Sequence, residues 1–112
     1  MPLELRVPDG CVAFLCDELS LYRAVYADDV EESPTAARRV AVLTGLLDRL
    51  DRDRLFVVPD AELARREALA ALREAADRAG EERRWKLAAG LREVLGEAEA
   101  FFGVVRAGMR AG

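Results

Sequence analysis

The spacing of the apolar residues near the C-terminus constrains this chain most. Leu87, Leu91, Val94, Ala98, Phe101 and Val105 follow one another at intervals of 4, 3, 4, 3 and 4. That is a heptad seam, which only a helix lines up on one face. Ala88, Leu95 and Phe102 lie next to the seam and broaden it. A stripe of this kind has to be buried against other helices, and the rest of the chain must supply them.

Upstream, the same period recurs between breakers. Between Cys11 and Ala27, Val12, Leu15, Leu19, Tyr22 and Tyr26 keep helical spacing, and Phe14 and Val25 widen the stripe. "PDG" (8–10) makes a turn before this helix, with Asp9 as its expected N-cap. Ser33 and Pro34 open a second helix as N-cap and first helical residue. It carries Ala36, Val40, Leu43, Leu47 and Leu50 on one face, beside Ala37 and Leu46. A third helix is expected over 59–80, opened by Pro59 and Asp60 and closed by Gly80. Its inner face is alanine-rich, with Leu63, Leu69 and Leu72 as the larger residues. The last helix starts near Glu81, and the glycine-containing tail 103–112 is expected to fray. "LELRV" (3–7) alternates as a short strand does, whereas "LFVV" (55–58) reads as an apolar linker under the bundle. The alternative pairs 55–58 with 3–7. The expectation is one all-α or mainly α domain over 1–112, a compact bundle of about four helices, with that two-stranded element as its minor variant.

Composition agrees. A chain of 112 residues has the size of one domain, and 52% hydrophobic with 34% charged residues argues against disorder. No apolar run reaches the ~18 residues of a membrane span, and "MPLELRVPDG" lacks the basic and apolar regions of an export signal. Cys11 and Cys16 are five residues apart, about 7.5 Å along a helix and on different faces, too far for an unstrained disulfide. They read as small buried hydrophobes in a reducing cytoplasm. Sixteen arginines against the single Lys86 reflect codon bias in a GC-rich bacterial genome more simply than anion recognition.

Histidine is absent. His-based triads, zinc proteases, Glu-x-x-His di-iron pairs and His-dependent ribonucleases are therefore excluded. Phosphate-cradling glycine loops are missing too. A magnesium enzyme built on carboxylates, acting on a phosphorylated small molecule, is the enzymatic alternative. Its candidate ligands are Asp28, Asp29, Glu93 and Glu97, with Asp17 and Glu18 nearby on the first helix. Helical nucleotide pyrophosphohydrolases use Glu-x-x-Glu pairs with a distant acidic partner, and that motif is not found here. The acidic stretch 28–32 fails as a calcium loop, since Ser33 and Arg39 stand where glycine and glutamate are needed. It reads as a water-facing joint between two helices.

Net charge is −4, divided into −6 over residues 1–33 and +2 over the remainder. Bases mostly stand beside acids, so nucleic-acid binding through Arg83, Arg84, Lys86 and Arg92 is a weak alternative. The first helix is apolar around much of its girth, and the last carries a seam plus a flanking stripe. This surplus points to a partner, most simply a second copy. The expected function is a non-catalytic, cytoplasmic protein–protein interaction or regulatory module with no cofactor and no membrane contact. It would work as an adaptor, an antitoxin-like partner or the small subunit of an assembly. Phe101, Phe102, Leu95 and Val105 are the expected anchors. Trp85 stands behind them, more simply as a core residue at the helix start. Gly90, Gly96 and Gly103 suggest close backbone packing of the last helix, inside the bundle or across a dimer. Tyr22 and Tyr26 are expected at the core edge with wet hydroxyls.

Overall fold

The computed structural model describes residues 2–111, with side chains described as far as Gly103. The order is β1 (Leu3–Arg6), α1 (Asp9–Ala27), α2 (Pro34–Asp53), β2 (Leu55–Val58), α3 (Glu62–Glu81) and α4 (Trp85–Ala111). The chain is mainly α, four helices with a small antiparallel sheet. α1 packs chiefly on α2 and α3 on α4, and α3 also touches α1 and α2.

Residues 55–58 form a strand, which corrects the expected linker. Leu3 faces Val58 and Leu5 faces Phe56 across the ladder. Phe56 and Val58 are fully buried, while Leu55 and Val57 alternate with them at the half-buried outer side. Four apolar residues satisfy either reading in isolation. Only the partner strand, which takes up their backbone donors and acceptors, decides for β. The chain turns into β2 at Arg54, whose φ of 57° is left-handed and whose N–H donates to the carbonyls of Arg49 and Leu50.

The helix starts and stops differ in instructive ways. Ser33 caps α2 as expected, its hydroxyl accepting the Ala36 N–H at 3.2 Å. Asp9 does not cap α1; Pro8 holds that position, and Asp9 instead pairs with Arg54 at 2.9 Å. α3 runs past Gly80. Arg83 takes the left-handed position at φ 59°, its N–H reaching the Gly80 carbonyl at 3.0 Å and that of Arg84 the Ala79 carbonyl at 2.9 Å. This is a Schellman ending with arginine where glycine is usual. α4 therefore begins at Trp85 rather than near Glu81. The tail expected to fray falls almost wholly outside the described side chains.

The core centres on Leu15, Leu19, Leu46, Leu50, Phe56, Leu72 and Leu91, all essentially inaccessible. Each contributes about 1.5–3 kcal/mol by leaving water. α2 turns Leu43, Leu46 and Leu50 inward, leaving Leu47 half-buried. α3 contributes Ala68, Ala71, Ala75, Ala76 and Ala79, so its neighbours approach closely. Leu63, expected inside, is 52% exposed at the start of α3. Gly90 lies where α4 crosses the start of α1: a Cβ there would stand 2.7 Å from the Cys11 sulfur.

Candidate functional site

α4 places the expected anchors on different sides. Leu91, Val94 and Ala98 of its seam are buried, and so is Leu95 at 9% exposure. Leu95 is therefore core and unavailable to a partner. Trp85 reverses the other expectation: at 63% exposed, it stands in water at the α3–α4 turn. Phe101 is 45% exposed, and its ring meets that of half-buried Phe102 edge-on at 5.1 Å. The Arg65 guanidinium lies 4.9 Å above the Phe102 ring. Val105 lies outside the described side chains. Trp85 and Phe101 are separated by about 24 Å of helix and do not form one patch. Gly96, Ala100 and Gly103 share an exposed face of α4, and a Cβ on either glycine would meet nothing within 4 Å.

The four candidate metal carboxylates are all exposed: Asp28 and Asp29 end α1, and Glu93 and Glu97 lie on α4. Among the described residues, no group of three or more cysteines and carboxylates is placed to hold a metal ion. Asp29 organises the joint through its backbone. Its carbonyl accepts the N–H groups of Glu32 at 3.2 Å and Ser33 at 2.9 Å. Of the expected nucleic-acid contacts, Arg83, Arg84 and Lys86 are exposed at the α3–α4 turn, beside Glu81 and Glu82. Arg84 lies over the Phe14 ring at 5.3 Å, and Arg92 leans across Gly80. Two acids among these bases leave no concentrated positive face.

The most organised polar region was not expected. Tyr22 is 9% exposed, and its hydroxyl donates to Glu18 Oε2 at 2.9 Å. Burial, then the hydrogen bond and charge of Glu18, push its phenol far above the ordinary range. Arg78 Nε stands 3.8 Å from the same carboxylate oxygen. One turn along α1, the Arg39 guanidinium covers the Tyr26 ring at 4.8 Å and its Nε donates to Glu67 at 3.0 Å. A cavity of about 120 Å³ lies among the two tyrosines, Arg39, Glu67 and Glu74, with Ala70 and Ala71 of α3 along it. Tyr26 and Arg39 also wall a second cavity of about 360 Å³, which Asp29, Glu32 and Ser33 of the joint complete. The two-tyrosine spacing and Glu18 four residues before Tyr22 were the visible signals; the partners Arg39, Glu67 and Arg78 come from two other helices and had none. Comparison with protein-family models, with curated proteins and with solved structures finds no match to this chain.

Proposed function

We propose that the protein is a non-catalytic interaction module that self-associates through the exposed surface of α4, with Phe101 as its aromatic anchor. The observation that carries this is the pair Gly96 and Gly103. A glycine inside an exposed helix costs about 1 kcal/mol against alanine, and neither has an intrachain neighbour that a Cβ would crowd. Gly90 shows the contrast, because its missing Cβ is explained by Cys11. With Ala100 they follow spacings of four and three, which leaves a shallow track where a second helix can approach closely. Phe101 lies about 100–160° round the helix from the three residues of that track, at the C-terminal end of the seam, and supplies the large exposed side chain such contacts use. Arg92, Glu93 and Glu99, exposed along the same helix, would set the register.

Sedimentation across a wide concentration range tests the reading. Phe101→Glu and Gly96→Leu are each expected to shift the protein toward monomer without lowering its melting temperature. A wild-type protein that stays monomeric at every concentration, or a Phe101→Glu variant that associates as well as wild type, refutes it.

A further inference from the structure

We propose that β1 pairs with β1 of a second copy, antiparallel and centred on Leu5, so that the sheet continues across a two-fold axis. The direction of the backbone groups comes first. The register sets Arg6 opposite Leu55, and at the next position the Val7 N–H donates to the Arg54 carbonyl at 3.2 Å. Peptide groups alternate sides along a strand, so Leu5 and Leu3 also turn theirs toward β2. Glu4 and Arg6 therefore aim their N–H and C=O groups at the opposite edge. Among the described residues, no other backbone group reaches them there. A free edge of this kind is a template for another strand.

Charge chooses the occupant. Glu4 and Arg6 are both exposed and lie on the same face of the strand, with buried Leu5 between them facing the core. Antiparallel pairing about Leu5 sets Glu4 of each copy opposite Arg6 of the other. These are the residues whose backbone groups point outward, so each pair exchanges hydrogen bonds as well as opposite charges. Parallel pairing in register would set Glu4 beside Glu4 and Arg6 beside Arg6. Arg49 meets the Glu4 carboxylate at Oε2, 2.8 Å away, which leaves Oε1 for the arginine of the second copy. The ends of the strand agree in shape. The same register brings half-buried Leu3 of one copy beside Val7 of the other, where a hollow of about 340 Å³ is lined by Arg6, Val7, Pro8 and Asp9. Pro2 and Pro8 bracket the strand and confine the pairing to the residues between them. This contact shares no residue with the α4 surface and does not require it; the two together would carry assembly beyond a dimer.

Amide hydrogen exchange of the full chain, followed by NMR over a wide concentration range, tests the pairing. The Glu4 and Arg6 N–H groups should exchange freely in dilute protein and about tenfold or more slowly as the dimer fills. Self-association through α4 alone leaves them unprotected at every concentration, and Phe101→Glu should leave their protection intact, so the two contacts fail independently. Arg6→Glu should weaken the pairing about tenfold by setting like charges opposite, and adding Glu4→Arg should restore most of it. Arg6→Pro should abolish it with a melting temperature close to that of the parent, because this N–H takes no part in the β1–β2 ladder. It serves as the second variant if the charge reversal folds poorly. The proposal is overturned if the Glu4 and Arg6 amides exchange at the same rate at every concentration. It is overturned equally if Arg6→Pro still protects the Glu4 amide at high concentration, or if the double charge reversal stays as weak as the single one.

Discussion

Alanine at Gly90 and alanine at Gly96 should act differently on stability, although both glycines lie inside α4. At Gly96 nothing in the chain lies within 4 Å of a new Cβ, so in the monomer the substitution only removes the helix penalty of glycine. A gain of about 1 kcal/mol follows, or roughly 4 °C in Tm for a domain of this size. At Gly90 the same gain is opposed by a Cβ 2.7 Å from the Cys11 sulfur and 3.6 Å from the Pro8 ring. The sulfur contact is roughly 1 Å inside ordinary separation. Cys11 cannot swing clear: it is 3% exposed, and its thiol already points at the Leu87 carbonyl, 3.8 Å away. α4 must then lift from the start of α1, an overpacking that costs about 1–3 kcal/mol. The two variants should thus differ by the overpacking cost, about 1–3 kcal/mol in urea unfolding, with Gly96→Ala above wild type and Gly90→Ala level with or below it. Cys11→Ala in the Gly90→Ala background should recover part of the loss. If Gly90→Ala stabilises as much as Gly96→Ala, the close crossing of α1 and α4 is wrong.

Arg83→Gly should stabilise the protein by up to about 1 kcal/mol, since the residue sits at φ 59°, where only glycine is unstrained; an unchanged thermal midpoint would contradict the Schellman ending. Phe56→Ala should cost about 3–5 kcal/mol, because the ring is fully buried; a loss below 1 kcal/mol would return 55–58 to the status of a surface linker. Tyr22 carries a pH signature. Its phenol is raised in the folded protein, so above the unfolded value of about 10 the folded state holds the extra proton and stability falls as pH rises. Below that pH the contribution is constant. Denaturant unfolding of Tyr22→Phe should show a shallower alkaline decline than wild type, and identical slopes would remove the Glu18–Tyr22 contact from the account.

The helices were legible because period and punctuation agree over long stretches. Ser33–Pro34 states a helix start twice, by a side-chain acceptor and by a residue without an N–H, and the structure places α2 there. The two left-handed helix endings, at Arg54 and Arg83, were not legible, since arginine carries no preference for that conformation and its strain is tolerated only by the surrounding turn. Gly80 offered the usual signal three residues before the position that takes the left-handed turn. The seam of α4 shows a second limit. Heptad spacing states which face is apolar and says nothing of what covers it. Leu95 became core, whereas Trp85, three residues before the first buried position of α4 at Ala88, was left in water. The cavity around Tyr26 was illegible for a third reason. Its charged members are at positions 39, 67 and 74, which no local spacing connects.

The alanine face of α3 accounts for both the tight core and the polar hole. A small side chain either draws two backbones together or leaves a space, and the residue opposite decides which. Nearer the Glu18–Arg78 contact, α1 contributes Leu15 and Leu19, both fully buried in the same core as Ala75, Ala76 and Ala79. Farther along, α1 contributes tyrosines instead. A ring can fill space, but its hydroxyl must find an acceptor. Tyr22 takes Glu18 for that purpose, and the neighbouring Tyr26 face is taken by Arg39, which brings Glu67 with it. Beside Ala70 and Ala71 the remaining volume is therefore lined by rings and charged groups and cannot collapse into apolar packing. Phenylalanine at position 26 would keep the ring and lose only a hydroxyl. Leucine at position 22 would remove the polar demand itself, and would turn this end of the bundle into the same closed packing found at Leu15.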